Sequence, residues 1–309
     1  MSIETTGRYL IMLPNEDLEA GIQALRDATG IHTVARAGDF ENHAFTTSEL
    51  DGPNASVFDR LGVAVVPLDP DQVQSVRVAT AAQQNVLAIQ PERVVYALQT
   101  GLSADYLRGY RDAATYLCDQ AGQQPVTGRG QRANAELTDG TTTWGLQATG
   151  VVGSAQSGLG IKVAVLDTGL DLTHPDFAGR SIQSQSFITG EAAQDANGHG
   201  THCIGTACGP SEPSERPRYG IAYNAEIFAG KVLSDRGSGS DSSILAGIEW
   251  AIDSGCAVIS MSLGAPTRPG DTFSPIYEQV GQSALQNGSL IIAAAGNEST
   301  DRTTGGRLN

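Results

Sequence analysis

The sequence predicts an α/β protein: a doubly wound parallel sheet preceded by a small ferredoxin-like α+β domain. Three observations carry this prediction. From Trp144 onward, apolar strand-like runs alternate with helix-like segments, and glycines stand at the strand ends. The run IKVAVLD at 161–167 is almost continuously apolar, as in a parallel strand buried on both faces. Residues 8–98 follow the order β-α-β-α-β of a ferredoxin-like unit.

The first hundred residues supply the elements of the small domain in order. Asn15 is predicted to cap the first helix and Gly30 to end it, whereas Pro91 is expected to interrupt the last strand. The stretch between His32 and Phe58 leaves open whether a further strand is present. The predicted elements are strand 8–13, helix 15–30, strand 61–68, helix 69–82 and strands 85–89 and 93–98.

The composition changes after these elements. Within 99–140, the segment SADYLRGYRDAATYLCDQAG can form a helix, but QQPVTGRGQRANAELTDGTTT is polar and rich in turn-forming residues, which is typical of a linker. We therefore predict a small domain at 1–98, a linker at 99–140 and a larger α/β domain at 141–309.

The larger domain alternates strands and helices to the end of the chain. Its predicted elements are strand 161–167, helix 200–208, strand 225–233, helix 242–255, strand 257–263, helix 276–288 and strand 290–297. In doubly wound sheets, function gathers at the carboxyl ends of the strands. Asp167 and Asn297 both lie at such ends.

Composition and charge narrow the class of protein. The chain has 309 residues, 40% of them apolar, and a formal net charge of −15. No basic stretch offsets this charge, which excludes nucleic acid as the main partner. No stretch approaches the ~18 apolar residues of a membrane-spanning helix, and the N-terminus lacks a secretory pattern. The four cysteines form no CxxC pair, so we expect reduced thiols in a cytoplasmic protein without a membrane partner, although an export route without a recognisable signal stays open.

The stretch NGHGTHCIG at 197–205 concentrates residues that can do chemistry. Taken alone, it fits a metal site, a catalytic base or a histidine with a structural role. A zinc site would use His199, His202 and Cys203, but no further ligand cluster at zinc spacing is present. A histidine also suits general-base catalysis, because its unperturbed pKa lies near neutrality.

Three segments together resemble the motifs of one family: VAVLDTGLDLTHPDF (163–177), NGHGTHCIGTA (197–207) and AAAGNES (293–299). They are similar to the aspartate, histidine and oxyanion-asparagine motifs of the subtilisin-like serine proteases, in that family's order. The resemblance implies that His199 is the general base and that Asp167 holds its other ring nitrogen. It implies that Asn297 donates a hydrogen bond to the tetrahedral oxyanion, and that the chemistry requires no cofactor.

The same resemblance implies a binding site for a peptide or protein substrate. Two segments look like the strands that pair with an extended peptide on either side. They are Gly237, Ser238 and Gly239, and Ser262, Leu263 and Gly264. The wall of the pocket for the residue before the scissile bond would be Ala294, Ala295 and Gly296.

Three further residues have counterparts in the family. We expect His202 to be structural and hydrogen-bonded in the interior, and Cys203 to be a small buried side chain beside the histidine motif. Asp176 matches a position that binds calcium in many relatives. The loop at 208–220 departs from the usual calcium loop, so a structural calcium ion is left open.

The N-terminal domain resembles the inhibitory propeptide of the family, with VLAIQPERVVYAL as the strand that ends in the cleft of the same chain. The family also needs a nucleophilic serine in a GTSMA-type motif, several dozen residues beyond the asparagine. Here 12 residues follow Asn297, and no serine has that context. We therefore expect a precursor fragment of a serine endopeptidase that is inactive alone. The alternative is a non-catalytic pseudoprotease, or a peptide-binding or inhibitory protein.

Overall fold

The structure is a computed structural model that describes residues 4–39, 55–98, 141–215, 217–267 and 270–297. The predicted linker at 99–140 lies outside these residues. Two sheets organise the described chain. One is a mixed sheet built largely from the N-terminal unit, by which we mean residues 4–39 and 55–98, and the other is a five-stranded parallel sheet.

The mixed sheet has the ferredoxin-like order that the sequence predicts. Its main path runs β5-β1-β4-β3, with antiparallel neighbours, and β2 adds a parallel edge beside β3. The stretch that was left open thus holds both β2 and β3. The strands are β1 (Thr5–Met12), β2 (Val34–Arg36), β3 (Ala55–Phe58), β4 (Val63–Pro67) and β5 (Ala88–Ala97).

Both faces of this sheet are covered. The helices α1 (Leu18–Thr29) and α2 (Pro70–Ala81) pack on one face through a core that includes Ile11 and Ala64. Alternate side chains such as Leu10 and Val65 enter a second core on the other face. The apolar run of β4 follows from this double burial, since a strand with one wet face would alternate polar and apolar residues.

The ends of the N-terminal helices correct one prediction. Helix α1 is capped by Asp17, whose side chain accepts from Ala20 N at 3.1 Å, and it ends at Gly30 with a φ of 72°. Asn15 is not the cap. Its side-chain amide donates instead to Ser283 Oγ at 2.7 Å. Helix α2 begins at Pro70 behind a capping box formed by Asp69 and Gln72.

Pro91 does not break the last N-terminal strand, so that prediction was wrong. Residues 88–97 form one strand, and Pro91 lies opposite Tyr9 where the register of β1 and β5 shifts. A proline has no N–H to donate and is tolerated at such an irregularity of the ladder.

The parallel sheet has the order β12-β10-β6-β8-β7, which places β6 at its centre. Its strands are β6 (Lys162–Asp167), β7 (Ile182–Ser186), β8 (Glu226–Lys231), β10 (Val258–Met261) and β12 (Leu290–Ala293). Beside the short helix α3 (Trp144–Ala148), the helices are α4 (His199–Cys208), α5 (Asp241–Asp253) and α6 (Pro275–Gln286).

Helices cover both faces of the parallel sheet. Helix α4 shares a core with Val163 and Val165, whereas α5 and α6 share the core that contains Ala164 and Leu166. Because these residues alternate along β6, the helices lie on opposite faces, which confirms the doubly wound fold. No helix in the described ranges is long and apolar enough to span a bilayer.

Two short strands join the sheets. Strand β9 (Ser238–Ser240) and strand β11 (Leu263–Gly264) both pair with β5 in antiparallel fashion. The predicted strand at 257–263 is therefore split at Ser262, because its last residues leave the parallel sheet for β5. The core that contains Leu10 and Val65 also includes Ile244 of α5 and Ile276 of α6, so one continuous core crosses the junction.

Candidate active site

Asp167 and His199 form a hydrogen-bonded pair. Asp167 ends β6 and His199 begins α4, and His199 Nδ1 lies 2.7 Å from Asp167 Oδ1. Asp167 is fully buried, whereas 13% of the His199 side chain is exposed. The carboxylate accepts a hydrogen bond from Nδ1–H, so Nε2 remains as the nitrogen that can accept a proton from a substrate or nucleophile.

Glycines allow the helix to come this close. A Cβ at Gly200 would collide with the carbonyl oxygen of Gly169 in the turn that follows Asp167, so only glycine fits there. Gly198, the residue before His199, has a φ of 96°, a conformation that L side chains rarely adopt. The two glycines of the NGHG sequence thus set the distance between helix and strand.

The Asp167 carboxylate stabilises the charged form of the His199 ring. The Asp167 carboxylate, and next the Cys203 thiol, hold the pKa of His199 above its ordinary value of 6.5, although burial acts in the opposite direction. Asp167 can therefore stabilise the imidazolium that forms when His199 takes up a proton.

The geometry argues against a metal at this position. Among the described residues, Asp167, His199 and Cys203 are the group of three potential ligands whose donor atoms lie within 4.8 Å of one another. Two ligands on one tetrahedral zinc ion lie roughly 3.3 Å apart, given bonds of about 2.0 Å. The distance of 2.7 Å between Nδ1 and Oδ1 fits a shared proton better than two bonds to one ion.

His202 does not lie where the sequence suggested. Its side chain is exposed and faces an open cavity that is also lined by His174, Asp176 and Tyr219, so the prediction of an interior histidine was wrong. Cys203 is half-buried, with Sγ at 3.9 Å from His199 Nδ1. Burial alone would raise the pKa of Cys203, but hydrogen bonds with His199 and His202 outweigh burial and lower it.

The end of β5 lies between the two strands that were expected to hold a peptide. Val94, Val95 and Tyr96 face Ser240, Gly239 and Ser238 of β9. On the other side, Tyr96 and Ala97 face Gly264 and Leu263 of β11. Ala97 N also donates to Gly237 O at 2.8 Å. The predicted substrate strands therefore bind an extended segment of this same chain through its backbone.

Leu98 brings this segment to the expected oxyanion asparagine. Leu98 N donates to Ser262 O at 2.9 Å, and Asn297 Nδ2 donates to Leu98 O at 2.8 Å. A Cβ added to Gly264 would lie 3.9 Å from Leu98 Cδ2, so the Leu98 side chain lies against Gly264. Ala294, Ala295 and Gly296, the expected pocket wall, connect β12 to Asn297, and Ala294 N donates to Met261 O at 3.0 Å.

Charged side chains of the N-terminal unit bind residues at the start of α5. Glu92 is completely buried, and its carboxylate accepts from Ser242 N at 3.0 Å and from Arg8 Nε at 2.6 Å. Arg93 forms the reciprocal pair with Asp241, at 3.1 Å. The carboxylate of Glu92 thus accepts from an N–H of the first helical turn, where negative charge is favoured.

Asp176 is already occupied by donors of the protein. Its Oδ1 accepts from Ser214 N and its Oδ2 from the Tyr219 hydroxyl, both at 2.6 Å. The Tyr219 ring lies close to Gly205, which is in α4, and to Gly209, which follows the helix. A calcium ion needs free carboxylate and carbonyl oxygens, so these residues do not fit a calcium site as they stand.

Sequence reasoning missed three residues that shape the site. Leu98 gave one signal, because it is the last residue of a predicted strand that leads into a predicted linker. Glu92 gave another, since a charge within an apolar strand demands a partner. Asp195 stands four residues before His199, close to the start of a predicted helix, where an acidic residue is favoured.

Fold and site together narrow the class of protein. The described residues combine a doubly wound sheet, an aspartate–histidine pair at the end of its central strand and two strands that pair with an extended segment of the chain. Residues 158–308 match the sequence profile of the Subtilase family. Over these residues the chain is similar to the subtilases.

Curated relatives show the same similarity. Over 158 residues, 50% of this chain, it is 45% identical to an alkaline protease of Alkalihalobacillus alcalophilus and 44% identical to Subtilisin Savinase of Lederbergia lenta. It is 37% identical over 181 residues, 55% of this chain, to Subtilisin-like protease 2 of Pseudogymnoascus destructans. The aligned regions span 39%, 55% and 42% of the lengths of these three relatives.

One solved structure resembles nearly the whole chain. The crystal structure of fervidolysin from Fervidobacterium pennivorans, described as a keratinolytic enzyme related to subtilisin, matches with a TM-score of 0.60. The match covers 97% of this chain and 41% of that protein, at 20% identity. At this identity the likeness concerns the fold alone.

Proposed function

We propose that Asp167 and His199 are the acid and base of a serine endopeptidase, and that Asn297 stabilises its oxyanion. The observation that carries this proposal is the contact of Asn297 Nδ2 with the Leu98 carbonyl at the end of a chain segment held between β9 and β11. A carbonyl in this position accepts the hydrogen bond that a tetrahedral oxyanion would strengthen.

The mechanism assigns one task to each side chain. His199 Nε2 takes the proton of the attacking hydroxyl and later returns it to the leaving amine. Asp167 holds the Nδ1–H tautomer and stabilises the imidazolium, as its effect on the His199 pKa indicates. Asn297 donates a neutral N–H to the oxyanion. We assign no serine among the described residues as the nucleophile.

The N-terminal unit is proposed to act as an intramolecular inhibitor and as the first substrate. Its last strand fills both pairing edges of the cleft, so another peptide would have to displace it. The hydrogen bond of Asn297 to the Leu98 carbonyl supports cleavage of the peptide bond after Leu98. The contact of Leu98 with Gly264 supports a preference for leucine-like side chains before the scissile bond.

The test begins with the reading frame beyond codon 309 and the protein that it encodes. If the proposal holds, that protein hydrolyses a fluorogenic peptide with leucine before the scissile bond, and N-terminal sequencing finds a new terminus at Gln99. Asn297→Ala should lower kcat by about 10²–10³-fold, as expected when a subtilisin loses one oxyanion donor. Asn287→Ala, a change at the end of α6, serves as the matched control and should leave kcat unchanged.

Two outcomes would contradict the endopeptidase proposal. One is a reading frame that encodes no further serine motif, and the other is an encoded protein that binds the peptide but never cleaves it. Either result would favour the non-catalytic peptide-binding alternative. A fluorophosphonate probe should not label the 309-residue chain, and labelling would contradict our assignment of no nucleophile within it.

We also propose that Asp176 binds no calcium and that Tyr219 takes the place of the cation. The support is that each carboxylate oxygen accepts a hydrogen bond from a donor of the protein. Calcium chloride should then leave the thermal unfolding midpoint unchanged, and Tyr219→Phe should destabilise the chain by roughly 1.5–3 kcal/mol, as expected for a hydrogen bond to a charged group. A midpoint that rises with calcium in the wild type but not in Asp176→Asn would contradict the proposal.

The cytoplasmic location stays a prediction from the sequence.

A further inference from the structure

Asp195 is a buried carboxylate at the start of the catalytic-histidine helix, with 8% of the residue exposed. Its Oδ1 accepts from the Thr168 hydroxyl and from the N–H groups of Asn197 and Gly198, each at 2.9 Å. Its Oδ2 accepts from Thr201 N at 2.9 Å and from the Thr201 hydroxyl at 2.6 Å. All five donors belong to the two segments that carry Asp167 and His199.

Asp195 serves α4 as a cap from outside the helix. Gly198 stands at the N-cap position and has no side chain to accept from the free N–H groups of the first turn. The Asp195 carboxylate accepts from two of the backbone groups there, at Gly198 and Thr201. Burial alone would raise the pKa of Asp195, but the donors outweigh burial and lower it, so the cap carries its charge at neutral pH.

Thr168 connects this cap to the strand that carries Asp167. Thr168 is fully buried and follows Asp167, and its N–H donates to Asp167 Oδ1 at 2.8 Å. Its hydroxyl donates to Asp195 and accepts from Gly200 N at 2.8 Å. Because Gly200 follows His199, a single hydroxyl bridges the neighbour of the aspartate and the neighbour of the histidine.

We propose that Asp195 is a positioning residue for the catalytic pair: through the Thr168 hydroxyl and the first turn of α4, it fixes the contact between Asp167 and His199. This inference rests on the proposed function for its biological meaning, but its geometry and its test need no nucleophile and no substrate. Without the carboxylate, α4 would be tied to the turn after β6 by fewer bonds, and the distance between His199 Nδ1 and Asp167 Oδ1 would no longer be fixed.

Two pairs of variants separate position from charge. Asp195→Ala removes both the charge and the five accepted bonds, and Asp195→Asn keeps the shape with one acceptor oxygen. Thr168→Val keeps the charge of Asp195 but removes the bridging hydroxyl, whereas Thr168→Ser restores the hydroxyl. Asp171→Asn is the matched control for lost charge, because the Asp171 carboxylate binds Thr173 and Gln194 near the same turn.

The measurement is NMR of the 309-residue chain with labelled histidine. It follows the low-field Nδ1–H signal of His199 and the pH midpoint of its ring titration. Asp195→Ala and Thr168→Val should each broaden or remove the Nδ1–H signal and lower the midpoint by roughly one pH unit, because the ring moves away from its carboxylate. Thr168→Ser and Asp171→Asn should keep both observables at wild-type values.

Two results would overturn the proposal. If the Asp195 and Thr168 variants lose stability while the His199 midpoint and Nδ1–H signal stay unchanged, the network is only structural. If Asp195→Ala lowers the midpoint and Thr168→Val does not, loss of charge explains the effect and no positioning is involved. Should Asp195→Ala fail to fold, Asp195→Asn and the Thr168 pair decide the question. None of these outcomes depends on hydrolysis, so the endopeptidase proposal can fail separately.

Discussion

Cys203 shows how the environment of one side chain sets its reactivity. The described thiols Cys203, Cys208 and Cys256 are all free, but they differ in burial and in neighbours. Burial raises the pKa of Cys208 to about 11 and that of Cys256 to about 12. Cys203 lies between two imidazoles that lower its pKa despite burial. The thiolate is the reactive form, so these differences predict a difference in rate.

We predict that iodoacetamide alkylates Cys203 at least about tenfold faster than Cys208 or Cys256 at pH 8, since each pKa unit changes the thiolate fraction about tenfold. Peptide mapping by mass spectrometry gives the three rates in one experiment. His202→Gln should slow the alkylation of Cys203, because one of its two imidazole partners is lost. His174→Gln, which alters the same cavity at a distance, is the control. Equal rates at all three thiols would contradict the prediction.

At the residue scale, the sequence predicted contacts between residues of short motifs, but it did not predict side-chain environments that depend on distant parts of the chain. The contact of Asp167 with His199 was predictable because each stands in a motif whose neighbours, such as Gly198 and Gly200, have few alternatives. The environment of His202 was not predictable. Whether a histidine three residues along a helix points inward depends on what covers that face, which local spacing does not contain.

At the scale of elements, β5 belongs to two structures at once. Its first half completes the N-terminal sheet beside β1, and its second half pairs with β9 and β11. The buried carboxylate of Glu92 and the reciprocal pair of Arg93 with Asp241 lie between these halves, at the first turn of α5. A second ion pair, Arg60 with Asp253, joins the same unit to the last turn of α5 at the protein surface.

The two ion pairs are predicted to differ in energy because they differ in burial. Asp241 is fully buried, whereas Arg60 and Asp253 are each about half exposed, at 55% and 51%. Arg93→Met should therefore cost roughly 3 kcal/mol, because it leaves a buried carboxylate without its cation. Arg60→Met should cost less than about 1 kcal/mol. Urea unfolding of the two variants measures the difference.

A double variant checks the cause. Adding Asp241→Asn to Arg93→Met should recover part of the lost stability, because the unpaired charge is gone while the Tyr277 hydroxyl keeps a partner at that position. Similar costs for Arg93→Met and Arg60→Met would show that burial does not govern these pairs.

Elements were predictable where the hydrophobic pattern was strong and local. The run IKVAVLD gave β6, and the helix predicted at 69–82 is α2. Strand β7, with the sequence IQSQS, was missed because an edge strand with exposed residues has no apolar run to reveal it. The split at Ser262 was missed for a different reason, since it depends on pairing with β5 from far along the chain.

At the scale of the whole molecule, the N-terminal sheet packs against α5 and α6 and covers them. Side chains of β1, β3 and β4 share one core with both helices, which buries groups on the helices that would otherwise face water. Glu249 on α5 is one of them. It is 4% exposed, its Oε1 accepts from Arg60 N at 3.2 Å, and its Oε2 has no hydrogen-bond partner among the described residues.

This burial makes the stability of the assembled chain depend on pH. Burial raises the pKa of Glu249 to about 8, from its ordinary value of 4.5. The charged groups that face it are Asp253 on its own helix and Asp59 and Arg60 from the N-terminal unit, and the two aspartates act in the same direction as burial. A buried acid with a raised pKa stabilises the packed state fully below pH 4.5, and this contribution is lost as pH rises towards 8.

We predict that Glu249→Gln removes this pH dependence. Within the window from pH 4.5 to 8, the difference in unfolding free energy between variant and wild type should change by up to ~1.4 kcal/mol for each pH unit, in favour of the variant at higher pH. Urea unfolding at a series of pH values measures this difference. Glu278→Gln, on the exposed side of α6, is the control and should give a difference that does not change with pH. If the wild type and Glu249→Gln lose stability in parallel as pH rises, Glu249 is already ionised in the packed state. Parallel loss would also mean that alkaline pH does not loosen the N-terminal unit through this residue.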